Sequence, residues 1–271
     1  MKYSRTSPHQ RDRSRGLTLI ELVVVMVVLV ALAGIVLPKI TGMVTRAHTS
    51  SQATNMSEIA KALQTYEAEY SGYPNGLDSL ANPTTGAIAN YVAGNRGTTT
   101  PFNDTSEFVT VTLTSDTLAA LNSAGIRTVT PISTTTLTGD FSPTFYPYGT
   151  VASVVPTPTT LSSSSVLAGM NSIAAAREFG TSSLSSYIVL GIGKYSSMQG
   201  TVMQDAPVHF DDDPLGSPTK AYARVGVVFQ ITDSSGEALD RARYVGSVGF
   251  HSDKMSGLGS HLQEYFETTN Q

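Results

Sequence analysis

Arg15-Gly16-Leu17-Thr18-Leu19-Ile20-Glu21, with the apolar run behind it, decides how this chain folds. Leu17 to Leu37 is 21 residues long, and Glu21 is its only charged residue. At 1.5 Å per residue such a helix covers about 32 Å, enough to cross the hydrocarbon core of a bilayer. Seven of the 21 residues are Val, a mediocre helix former in water. Lipid removes that objection, because a lone span satisfies its own backbone only as a helix. Lys2, Arg5, Arg11, Arg13 and Arg15 precede the run, against one acid, Asp12. That excess places the N-terminus in the cytoplasm and everything after Leu37 on the far side of a membrane.

Glu21 is the informative residue. An ionised carboxylate in a span costs a few kcal/mol unless an interface or a partner relieves it. On the span alone, a plain signal anchor with a stray acid is an adequate reading. The flanks favour another. A basic leader ends at Gly16, Leu17-Thr18-Leu19-Ile20-Glu21 follows, and the apolar run is then unbroken. These residues closely resemble the prepilin cleavage and methylation motif of type IV pilins and type II secretion pseudopilins. The resemblance implies that a prepilin peptidase cuts between Gly16 and Leu17 and that Leu17 is then N-methylated. An ordinary signal peptide is instead cut after its apolar region. The family's usual first mature residue is Phe, and Leu17 stands in its place. The resemblance also makes Glu21 the acid that sets register during assembly. Cleavage creates an amino group, and two opposite charges in a low-dielectric place attract strongly once they meet.

The rest of the chain suits an exported, β-rich head. There is no Cys, so neither disulfides nor thiol chemistry are available. Charged residues are only 14% of the chain, whereas Ser, Thr and Gly are abundant. Net charge is +4 over residues 1–16, −1 over 17–71 and −7 over 72–271. An acidic head is a poor nonspecific ligand for nucleic acid, and none is expected as a partner.

Apolar residues continue at helical spacing beyond the run: Ile40, Met43, Val44, Ala47, then Met56, Ile59, Ala60, Leu63, Tyr66 and Tyr70. This predicts one long helix from Leu17 to about Ser71, with residues 17–37 in the membrane and 38–71 beyond it. Two helices broken near residue 50, where the stripe weakens, are the alternative. Pro38 removes one backbone donor and is expected to kink the helix without ending it. Gly72 is the expected stop, with Pro74 just beyond. The pattern Ala62-Leu63, Tyr66, Gly72-Tyr73-Pro74, Gly76-Leu77 and Leu80 resembles the helix end and following loop of the major pseudopilin of type II secretion.

Strands are expected at 107–114, near 126–131, at 187–192, and as a hairpin of 222–231 with 243–250 around Asp233-Ser-Ser-Gly236. Val225, Val227, Phe229 and Ile231 share one face of that hairpin, and Tyr244, Val248 and Phe250 share one face of its second strand. Short helices are expected at 115–124 and, capped by Ser162 to Ser165, at 166–179 with Gly180 as its stop. A final helix, 258–268, offers Leu258, Leu262, Tyr265 and Phe266 to the core. Residues 132–165 read as an exposed loop insertion. The fold class is therefore α+β: a long N-terminal helix packed on a C-terminal antiparallel β-sheet head, pilin-like.

Catalytic templates fail. There is no G-x-S-x-G, no P-loop and no H-E-x-x-H. Gly191-Ile192-Gly193 begins like a dinucleotide loop, but Ser196 stands where the third Gly belongs. His48, His209, His251 and His261 show no metal spacing and read as surface residues. The acidic run Asp211-Asp212-Asp213 is a candidate for calcium, which takes oxygen ligands from loops. It lacks the EF-hand spacing, so a solvated turn is favoured and no cofactor is expected. The expected function is that of a structural subunit of a type IV pilus-like or type II secretion pseudopilus filament, not an enzyme. By the resemblance its partners are prepilin peptidase, other pilin or pseudopilin copies, and the assembly machinery of the bacterial inner membrane. The alternative is an exported binding or adhesive domain that uses the helix only as a tether.

Overall fold

The computed structural model describes residues 18–88, 92, 107–131, 157–180, 185–207, 209, 222, 224–250 and 254–269. By internal contacts the chain divides into two compact units, residues 1–45 and 46–271. Helix α1 (Leu19–Tyr70) contributes to both. It is a single element of 52 residues, continuous past Pro38 and past residue 50.

Among the described residues the second unit holds nine strands. These are β1 (Leu77–Ser79), β2 (Phe108–Thr112), β3 (Thr128–Pro131), β4 (Thr159–Thr160), β5 (Val166–Met170), β6 (Tyr187–Gly191), β7 (Val225–Thr232), β8 (Ala238–Phe250) and β9 (Met255–Gly257). The order is β4-β3-β1-β6-β7-β8-β9, with β2 on β5 and β5 on β6. β6 is the branch point. It pairs with β1 at Leu190 and Gly191 and with β5 at Tyr187 and Ile188, while β7 runs along all five of its residues. Every pair is antiparallel except β1 with β3.

The sheet carries an apolar layer on each face. On one, Ile59, Leu63 and Tyr66 of α1 and Leu121 and Ala124 meet Leu77, Ile188, Leu190, Val225, Val227, Phe229 and Ile231. On the other, Ala174 and Ala175 meet Met170, Val189, Val228, Val248, Phe250 and Met255. The α1 contacts fall at i, i+4 and i+7, the spacing of one helix face. The burial pattern of β7 is continuous because both its faces are covered. Arg241 fastens β8 to α1, with its guanidinium 2.7 Å from Glu67 and lying over the Tyr73 ring.

Helix α2 (Ser115–Ser123) begins at Thr114, whose hydroxyl accepts from the Thr117 backbone in a reciprocal capping box. It stops before Gly125, which is left-handed at φ 93°. Other expectations are corrected. The left-handed residue ending α1 is Ser71, at φ 58°, not Gly72. Gly72 is small because it lies against the backbone of Ala124 and Gly125. Residues 166–170 are a strand, and helix α3 (Ser172–Phe179) starts only afterwards, capped by Asn171 and ended by left-handed Gly180. The serines bond one another instead: the Ser162 N–H meets the Ser165 hydroxyl, and the Ser165 N–H meets the Ser162 carbonyl. They close a turn that leads into β5. The expected 132–165 insertion contains β4, and residues 132–156 lie outside the described residues.

A bulge corrects the face assigned to Tyr244. Phe229 pairs with Tyr244 but Val228 pairs with Gly246, so Val245 is an extra residue. Because side chains alternate with period two, the insertion sends Tyr244 to the α1 face and Val248 and Phe250 to the other. Helix α4 (Leu258–Thr269) is also turned from the expected orientation. Leu258, Leu262 and Phe266 are 39%, 42% and 60% exposed, whereas His261 is fully buried.

Leu63→Ala and Leu262→Ala therefore separate sharply. The first opens a cavity under a fully buried side chain and is expected to cost about 2–5 kcal/mol. The second trims an exposed side chain and should stay within about 0.5 kcal/mol. Denaturant unfolding of the detergent-solubilised protein measures both.

Candidate functional site

The N-terminal end of α1 is built by a short local circuit. Because the helix begins at Leu19, Thr18 is its N-cap and Glu21 its third residue. Both the Thr18 backbone N–H and the Thr18 hydroxyl donate to Glu21 Oε2 at 2.8 Å. The Glu21 N–H lies 3.3 Å from the Thr18 hydroxyl oxygen. This is a capping box, legible in the sequence as Thr-x-x-Glu just before an apolar run, though Thr18 was not singled out there. It gives the acid two donors and sets it against the positive end of the helix dipole. Thr18 is thus the residue that positions Glu21.

Downstream, Leu19–Leu37 is long and apolar enough to cross a membrane, and none of it is buried within the chain. Even its least exposed large side chains, Val36 and Val23, are 46% and 47% open. An apolar surface of that extent does not persist in water. Gly16 and Leu17, the expected cleavage and methylation positions, lie outside the described residues, as do Asp211, Asp212 and Asp213. Among the described residues no group of three or more His, Asp or Glu is placed to hold a metal ion.

A second cluster lies inside the head. Asp78, on β1, is fully buried and accepts a 2.7 Å hydrogen bond from the Tyr222 hydroxyl. Arg224 is buried nearby, and its guanidinium donates to the Ala206 carbonyl at 2.7 Å. Burial pushes the Asp78 carboxyl up to about 7, and the Tyr222 bond and the Arg224 charge offset only part of that. Gly191 and Gly193 explain themselves here. A Cβ on Gly191 would strike the Tyr222 hydroxyl, and one on Gly193 would strike the Asp78 carboxylate. The two glycines that look like the start of a dinucleotide loop are clearance for this buried pair.

Two further polar groups hold the end of the chain. Arg177 of α3 reaches Glu107, Glu178 and the Met255 carbonyl. Glu178 in turn accepts from the Gly257 N–H at 2.7 Å and the Ser260 hydroxyl at 3.0 Å, at the N-terminus of α4. His209 and His261 are both buried, with ring centroids 5.5 Å apart, contrary to their expected surface placement. His48 is exposed, and His251 lies outside the described residues.

Comparison with known proteins points to the N-terminal segment. Residues 11–37 match the family model described as the prokaryotic N-terminal methylation motif. The type II secretion system core protein G of Aeromonas hydrophila is 35% identical over 81 residues, 29% of this chain and 57% of that protein. The core protein G of Pseudomonas aeruginosa is 35% identical over 80 residues, 28% of this chain and 56% of that protein. That of Escherichia coli K12 is 32% identical over 77 residues, 27% of this chain and 53% of that protein. The chain thus spans about half the length of the curated relatives it matches. No solved structure matches the chain significantly. The prepilin-type methylation motif is therefore present at residues 11–37.

The Asp78 cluster fixes a pH dependence. An aspartate in an unfolded chain titrates near 3.8, and Asp78 in the fold near about 7. Between those values the folded chain holds a proton that the unfolded chain has lost. The contribution to stability is therefore full below the lower value, falls as pH rises through the window, and is level above it. Asp78→Asn removes the titration while keeping an acceptor for Tyr222. The wild type should match this variant near pH 4 and fall behind it by pH 8, at up to roughly 1 kcal/mol per pH unit inside the window. Parallel denaturant melts of the two proteins across that range read the difference.

Proposed function

We propose that this chain is a filament subunit of the pseudopilus or pilus type, with the type II secretion pseudopilus as the nearest system. The observation that carries the reading is the exposed Leu19–Leu37 face, headed by a capped, single carboxylate, inside the methylation motif. Residues 1–16 are the leader, removed by prepilin peptidase between Gly16 and Leu17, and Leu17 becomes the N-methylated first residue. Residues 17–37 anchor the precursor once across the bacterial inner membrane, with the basic leader in the cytoplasm and the head outside. Pro38 bends the helix as it leaves the bilayer, and residues 38–71 continue it to the head.

Assembly then exchanges lipid for sister helices. No hydrophobic gain drives that step, because acyl chains are as apolar as Val and Leu. Packing and charge must drive it. The amine created at Leu17 meets the Glu21 carboxylate of a neighbour, which offers a pairing that Thr18 alone cannot match. The partners are other copies of the chain, related subunits, and the inner-membrane machinery that adds them. Calcium at Asp211, Asp212 and Asp213 is not part of this reading.

Two measurements test it. Mass spectrometry of protein taken from cells should find an N-methylated Leu17 as the first residue; an intact Met1 or a cut after Leu37 would overturn processing. Glu21→Ala should insert and be cleaved yet give at least about tenfold fewer sheared filaments, the loss expected when a buried charge pair is broken. Normal yield would remove Glu21 from assembly.

A further inference from the structure

Strand β2 ends its branch of the sheet: it pairs with β5, and no second strand flanks it among the described residues. The ladder with β5 fixes which way its backbone groups point. Phe108 to Thr112 pair with Met170 to Val166 in unbroken register. At one end the Asn171 N–H donates to the Glu107 carbonyl at 2.8 Å, and at the other the Leu113 N–H donates to the Ser165 carbonyl at 2.9 Å. Hydrogen-bonded positions alternate along an antiparallel strand. Glu107, Val109, Val111 and Leu113 therefore turn their N–H and C=O groups toward β5. Thr110 and Thr112 turn theirs away from it, to the outer edge. Both threonines are exposed, and Val109 is 40% exposed.

This edge lacks the devices that usually blunt one. β2 has no Lys, no Pro and no bulge, and no charged residue occurs from Phe108 to Ser115. Its Val and Thr residues favour a pleated strand. The outward groups of Thr110 and Thr112 recur about 7 Å apart, a spacing that another extended backbone meets in register.

Charge and magnitude decide whose backbone that is. Residues 72–271 carry a net charge of −7, so copies of the head repel one another over most of their surface. An uncharged strand is where they approach at least cost, and it offers a basic partner no charge to seek. The contact is also small, and each hydrogen bond strengthens it by about tenfold at most. It forms only where the second strand is held close by, as sister subunits are once their α1 helices have packed in a filament.

We propose that the outer edge of β2 in one copy pairs with an extended segment of a second copy. Thr110 and Thr112 make the main-chain bonds, and the added strand covers Val109. The inference rests on the filament reading above and adds a sheet contact between heads to the helix contact at Glu21.

Amide hydrogen exchange at single-residue resolution tests it, on sheared filaments and on the full chain as a detergent-solubilised monomer. In the monomer the Thr110 and Thr112 amides should exchange at least about tenfold faster than those of Val109 and Val111. In filaments they should slow to match. Threonine amides that stay fast in filaments overturn this inference and leave the filament reading standing. Threonine amides already slow in the monomer overturn it too, since the edge would then be covered within its own chain. A wild-type chain that forms no filament overturns both readings.

Proline supplies the second arm, because it deletes one N–H and is tolerated where that N–H faces outward. Thr110→Pro and Thr112→Pro should each leave the melting of the solubilised protein near that of the wild type and lower filament yield about tenfold. Val111→Pro, which removes an N–H aimed at β5, should instead lower the melting temperature. Normal filament yield from both threonine variants overturns the contact, and so does a loss of melting temperature in them as large as that of Val111→Pro.

Discussion

A helix face that water cannot cover governs this protein. From Leu19 to Leu37 the side chains are apolar and open, and the only acid is held at the very start. Such a surface is stable in lipid or against other apolar helices, and on the proposed filament reading the chain passes from one to the other. The Thr18–Glu21 circuit suits the first state. It lets the acid sit at a helix N-terminus with two donors, so the isolated chain carries no unsatisfied charge there. On the proposed filament reading that local solution is exchanged, since both donors belong to the single residue Thr18. A stronger, positively charged donor from a neighbour can replace them without unravelling the helix.

The head solves a different problem. Its sequence is rich in Ser, Thr and Gly and poor in charge, so few residues can specify how distant segments meet. The buried polar groups do so. Asp78 and Tyr222 are 144 residues apart, and Glu107 and Arg177 are 70 apart. The first joins strand β1 to a distant segment, and the second joins the residue before β2 to helix α3. Buried groups of this kind are costly when unmet, so they penalise every arrangement but the paired one. The glycines at 191 and 193 belong to that device, because any side chain there would displace the pair.

What the sequence made legible follows the range of the determining interactions. Helix α1 was readable to within about two residues at each end, since apolar period, breaker and flanking charges are all local. The β7–β8 hairpin was readable for the same reason, through alternation and the Asp233–Gly236 turn, whose aspartate oxygen accepts from the Ser235 and Glu237 backbones. The face of Tyr244 was not, because one inserted residue, Val245, inverts the alternation and only pairing with β7 reveals it. Val166–Met170 read as helix because four serines preceded it and alanines followed. Its neighbours decide otherwise: Gly169 lies close to Val111 and to the Tyr187 carbonyl, where no helix turn fits. At the candidate site, Glu21 was legible from its isolation among apolar residues, and Thr18 was available from the Thr-x-x-Glu spacing. Asp78 was not, since its partner lies far along the chain.

Helix α4 shows why an apolar stripe does not by itself locate a core. Leu258, Leu262 and Phe266 have the spacing of a packed face, yet the helix buries His261 instead. Its attachment is polar: Glu178 takes the free donors at the N-terminus of α4, and Arg177 fixes Glu178 in place. Were apolar burial the anchor, the stripe would be turned inward and the surface would be polar. Anchoring by charge holds the helix while Leu258 and Leu262 stay partly exposed. The same separation marks α1, where Ile59, Leu63 and Tyr66 attach the helix to its own head while Ile40 and Met43 remain open.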